Sequence, residues 1–239
     1  MKLLSSVTIL KNVWHLIPRH LKEYAEPTVW MVTITVVLSI LPTLGATAPL
    51  YFLIKLVSEV IFFWAAIRIV DTTWMLYEGR APAESLTRTL SWGHVGRLID
   101  FIITFLVYTI IVYASFYSLI LAIPSIIFAF WFSFTVFAFL IEGAAPGTGA
   151  LKRSSDLVQG RFWAVVWRWL VSLVPAAVVV CIIGAAVILG VNALSGDVGR
   201  VAYDHLWWNV LIRNLAAIVF FVWTMVTGTV LFSEVRKSL

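Results

Sequence analysis

The chain has 239 residues, 62% of them hydrophobic and 12% charged, with a mean hydropathy of +0.99 and a formal net charge of +5. A water-soluble domain of this length has no core large enough to hide so much apolar surface, so a soluble globular protein is excluded and much of the chain must face lipid. The basic excess calls for no nucleic acid, because Lys and Arg gather between apolar runs, where anionic head groups would meet them.

In hydrocarbon every backbone polar group needs an internal partner, which leaves helices or a closed barrel. Barrel strands alternate polar and apolar residues, whereas Ile102 to Ile123 is apolar on all sides. The expected fold class is therefore all-α: a polytopic helical membrane protein with about six transmembrane helices, interfacial amphipathic helices and one integral membrane domain over 1–239.

The first predicted element is amphipathic. Leu3, Val7, Leu10, Trp14 and Ile17 follow a four-then-three spacing, and Lys11 borders the stripe, which describes a helix lying on the membrane surface. The apolar stretch before Lys11 is short and no small-residue cleavage pattern follows it, so a cleavable signal is not expected.

Spans are then predicted near Thr28 to Leu44, Ala48 to Leu76, Leu98 to Ala122, Pro124 to Ile141, Phe162 to Val191 and Trp208 to Phe232. The third and fourth share the forty-one uncharged residues from Phe101 to Ile141, too many for one crossing. Between the first and second, Pro42, Gly45 and Pro49 mark either a turn or kinks in one long helix. Basic residues fix the expected orientation. Lys2, Lys11, Arg19 and Lys22 precede the first span; Arg80, Arg88 and Arg97 follow the second; Lys152, Arg153 and Arg161 follow the fourth; Arg236 and Lys237 close the chain. The expected location is a bacterial inner membrane with both termini cytoplasmic.

The cytoplasmic segments repeat a plan. Pro82 opens a segment with Ser85, Leu86, Arg88 and Leu90, and Pro146 precedes Ala150, Leu151, Arg153 and Ser154, with a constant offset of sixty-five residues between the Leu and Arg pairs. Three units, 1–76, 82–141 and 147–232, would each comprise an interfacial helix and a two-span hairpin.

Ionisable residues inside spans are costly and become candidates on that ground. Lys55 and Glu59 stand four residues apart, and Arg68 and Asp71 three apart, so each pair either lines a wet cleft or neutralises itself while the long side chains snorkel. Arg168 and Arg213 are expected to snorkel toward opposite surfaces. Asp100 and Glu142 are placed to accept hydrogen bonds from Arg97 or Lys152. Lys11, Arg88, Lys152, Arg153 and Arg161 are the candidate lipid head-group contacts.

Catalytic patterns are lacking. His15, His20, His94 and His205 show no paired ligand spacing, the single Cys181 rules out an intramolecular disulfide, and there is neither a phosphate-binding glycine loop nor a serine nucleophile elbow. No catalytic residue, cofactor or metal is expected.

Phe132, Phe134 and Phe137 lead to Ile141-Glu142-Gly143, followed by Gly149-Ala150-Leu151-Lys152-Arg153-Ser154 and Gly160-Arg161-Phe162-Trp163. Over about residues 124 to 192 this pattern resembles the YciC-like group and the glycerophosphoryl diester phosphodiesterase membrane-domain family. The resemblance implies a six-helix membrane domain without an assigned activity; the soluble phosphodiesterase domain of some members is not expected, since the chain ends soon after its last span. The function expected is non-enzymatic, an accessory or scaffold subunit or an envelope-maintenance component whose partners are membrane lipids and other membrane proteins. A small transporter or permease-like subunit is the alternative, and a phospholipid-acting enzyme ranks third.

Overall fold

The computed structural model describes residues 5–45, 47–79, 127–142, 148–195 and 207–238, all in helices, turns or short links. The helices are α1 (Ser6–Arg19), α2 (Leu21–Ile40), α3 (Ala48–Glu78), α4 (Thr135–Glu142), α5 (Thr148–Val158), α6 (Phe162–Ser195) and α7 (Trp207–Lys237). Among the described residues there is no strand, and α3, α6 and α7 are long and apolar enough to cross a membrane. The chain is a helical membrane protein. These three helices match the second, fifth and sixth expected spans, while the third lies outside the described residues.

Local chemistry sets the helix ends. Ser5 caps α1, its Oγ accepting the Thr8 N–H at 3.1 Å. The stripe expected to face the interface leaves Val7 and Trp14 exposed, and α1 instead buries Ile9 and Val13. The expected stripe is thus only partly outward, with Leu10 and Ile17 half-buried and Trp14 against Trp223, while Ile9 and Val13 form the fully packed side. At the start of α2, His20 and Glu23 meet at 3.3 Å. A hydrogen bond from its own backbone N–H, then the His20 contact, holds the Glu23 carboxyl below its usual range.

The Pro42 region is a turn. A 3-10 segment, Leu41–Leu44, ends α2, and Gly45 follows at φ 67, a left-handed conformation that a side chain would strain. The reversal is visible in one ion pair: Arg68 Nη2 lies 3.3 Å from Glu26 Oε2, forty-two residues back, so α3 returns along α2 as a hairpin.

The expected fourth span is interrupted. Residues 127–131 are helical, 132–134 form a turn and α4 begins at Thr135. Ser154 of α5 occupies the break: its Oγ accepts the Phe134 N–H at 3.1 Å and donates to the Trp131 carbonyl at 3.1 Å. Next to it, Trp131 Nε1 donates to Ser155 Oγ at 2.7 Å. A side chain inserted into the backbone ladder is a recognised cause of a helix break.

The residues form two compact units, one of 1–13, 70–172 and 226–239, the other of 14–69 and 173–225. In the first, fully buried Phe232 is the aromatic hub, with ring centroids 5.8 Å from Phe134, 6.2 Å from Phe137 and 6.3 Å from Trp74. Gly228, one turn before it, is where Phe137 and Trp169 close on the α7 backbone; a Cβ there would overlap the Phe137 ring. In the second unit, Trp14 meets Trp223 at 5.1 Å and Phe62 meets Phe221 at 6.0 Å. Gly184 of α6 faces Ala216 of α7. Between these two helices runs an apolar groove of about 530 Å³, bordered by Cys181, Gly184, Ala217 and, at one end, Arg213.

Candidate functional site: a charged clasp and an exposed ion pair

Within the first unit, three carboxylates occupy the last turns of three helices: Glu78 ends α3, Glu142 ends α4 and Glu234 belongs to the last turn of α7. An anion at a helix C-terminus meets the negative end of the macrodipole. These side chains are also only 8–13% exposed, so each depends on cations close by.

The cations come from α5 and from the end of α7. Arg153 grips Glu142 with two hydrogen bonds, Nε to Oε2 at 2.7 Å and Nη2 to Oε1 at 3.0 Å, a fork matched to the carboxylate plane. Those bonds raise the Arg153 pKa above its ordinary value. Arg236 Nε reaches Glu142 Oε1 at 3.0 Å, with its guanidinium 5.6 Å from the centre of the Trp74 ring. Lys237 Nζ lies 2.7 Å from Glu78 and 3.5 Å from Glu234, above the Tyr77 ring at 5.1 Å. The Tyr77 hydroxyl donates to Glu234 at 3.0 Å and also bonds the Asn12 side chain, while Ser233 donates to Glu78. Arg161 donates to the Ser238 carbonyl at 3.0 Å and to its hydroxyl. Gly160, at φ 74, makes the bend before Arg161.

This arrangement ties the last turn of α7 to the ends of α3 and α4 and to the α5–α6 link. With its carboxylates engaged by cations, the cluster is built to hold helix ends together.

The predicted site residues fall in different places. Arg153 and Arg161 belong to the clasp, facing Glu142 and Ser238. Lys152 and Lys11 are exposed, and Arg88 lies outside the described residues, as do Asp100 and Arg97. Glu142 takes Arg153 and Arg236 as its cations. Arg68 pairs with Glu26, and Asp71 is buried. Arg168 turns back onto its own helix, donating to the Ala164 carbonyl at 2.8 Å.

Lys55 and Glu59 pair with each other at 2.9 Å, yet their side chains are 53% and 64% exposed. Around them Phe52, Leu53, Leu56, Val57 and Val60 are exposed as well. An ion pair thus stands on an otherwise apolar outward face of α3, in the second unit.

Sequence reasoning missed Glu78, Glu234, Tyr77 and Trp74, and took Arg236 and Lys237 only as marks of orientation. The available signal was acidic residues at the ends of apolar helices, each of which needs a cation to offset the dipole. Comparison with protein families, curated proteins and solved structures finds no match to this chain.

Proposed function

We propose that this chain is a non-enzymatic integral membrane protein, an accessory or scaffold component that assembles with other membrane proteins and contacts lipid. One observation carries the reading: the Lys55–Glu59 pair lies on an exposed face of α3 among large apolar side chains. Lipid covers apolar side chains at little cost, but it solvates an ion pair poorly. Polar side chains of transmembrane helices are better satisfied against another helix. The clasp supports the same reading, since the charges at that end of the first unit are spent on joining helices.

Within this proposal the basic ends face the cytoplasm of a bacterial inner membrane, and six spans complete the bundle. Membership of the membrane-domain family resembled above is part of the same reading; its motif residues Glu142, Arg153, Ser154 and Arg161 have structural duties here. A photocrosslinking side chain at Leu56, tested in cells, is expected to give a discrete protein adduct that Glu59→Lys abolishes. Adducts with lipid alone would contradict the assembly role.

A further inference from the structure

The groove between α6 and α7 is walled by small and aliphatic side chains, and among the described residues that border it Arg213 is the charged one. Along α6 it runs from Ala177 to Ile188, an offset of eleven residues or about 16 Å, close to the depth of one leaflet of a hydrocarbon core about 30 Å thick. Its volume of about 530 Å³ spread over that length gives a cross-section of about 30 Å². A helix 10–12 Å across needs about 80 Å² or more, so the groove is too narrow for another helix and suits one extended hydrocarbon chain.

The charged end has a fixed depth. Arg213 is exposed, and the twenty residues that follow it, 214–233, carry no charge. They span about 30 Å, so a membrane fitted to them leaves the Arg213 guanidinium at head-group level. There its N–H donors form a fork that fits two phosphate oxygens.

We propose that this groove retains one anionic phospholipid, with an acyl chain lying past Gly184 toward Ala177 and the phosphate on Arg213. Any trough open to the bilayer fills with hydrocarbon, and a lipid tail gains little by exchanging one apolar surround for another. Selection therefore comes from the head group. A zwitterionic lipid carries its own ammonium, which competes with Arg213 for the phosphate, whereas phosphatidylglycerol leaves its negative charge to the protein. The site goes beyond the assembly reading and involves α6 and α7 instead of the exposed face of α3.

The test uses the full chain purified in mild detergent, with native mass spectrometry counting retained lipid as dioleoylphosphatidylglycerol or dioleoylphosphatidylcholine is titrated in. One phosphatidylglycerol per chain is expected to bind about fivefold tighter than phosphatidylcholine, the worth of one basic residue at an anionic surface. Arg213→Gln should bring the two lipids to equal affinity, and Arg213→Lys should keep part of the preference. Ala217→Phe, which fills the groove from an exposed position and leaves the charge alone, should expel the tight lipid. Bound phosphatidylglycerol should also slow alkylation of Cys181, which is exposed within the groove, whereas glycerol 3-phosphate, a head group without chains, should not. Retained helicity separates lost binding from lost folding. Equal affinity of the unaltered chain for the two lipids means annular filling only and overturns the site. So does a preference that survives Arg213→Gln, unchanged alkylation of Cys181, or protection by glycerol 3-phosphate. A protein adduct from a photocrosslinking side chain at Ala217 in cells would make the occupant another polypeptide and likewise overturn it, while adducts at Leu56 decide the assembly reading separately.

Discussion

Glu142 is the residue on which most of the clasp converges, since Arg153 and Arg236 both depend on it. Glu142→Gln keeps the shape and removes the charge, leaving two guanidinium groups without their anion; the expected loss is about 1–3 kcal/mol, the usual range for hydrogen bonds to charged groups in sheltered sites. Chemical unfolding in mixed micelles measures it, and Lys152→Gln, at an exposed neighbour, should change little. Ser154→Ala tests the helix break. It strands the Phe134 N–H and the Trp131 carbonyl, so a loss of about 1–3 kcal/mol is again expected, with faster amide exchange at Phe134. Unchanged exchange there would mean that Ser154 does not hold the break.

Among the elements, α7 shows how packing overrides propensity. A glycine inside a helix costs about 1 kcal/mol relative to alanine. Gly228 is nonetheless inside α7, because Phe137 and Trp169 occupy the space a side chain would take. Gly228→Ala should therefore destabilise by about 1–3 kcal/mol despite its better propensity, and Phe137→Leu should recover part of that loss in the double variant. The long apolar helices α3, α6 and α7 were legible because an uninterrupted hydrophobic run is a strong local signal. The break at 132–134 was not, since it depends on a serine twenty residues away that reads in sequence like any other small polar residue. The hairpin at Gly45 was half legible: Pro42 and Gly45 announced an interruption, but only Arg68 finding Glu26 distinguishes a reversal from a kink.

For the whole molecule, composition alone gave the solvent, because the apolar fraction exceeds what a soluble core holds. The pairing of charges was not legible. Lys55–Glu59 followed from i,i+4 spacing, whereas Glu142 and Glu78 draw their cations from other helices and from the far end of the chain. The central claim is that lipid surrounds the exposed face of α6. Spin labels at Val178, Ile182 and Leu189, all exposed on that helix, read in bilayers against oxygen and a water-soluble paramagnetic reagent, test it most directly. The account predicts oxygen-dominated relaxation at all three sites, with the water-soluble reagent prevailing at Lys152. Dominance of the water-soluble reagent at Val178 and Ile182 would contradict it.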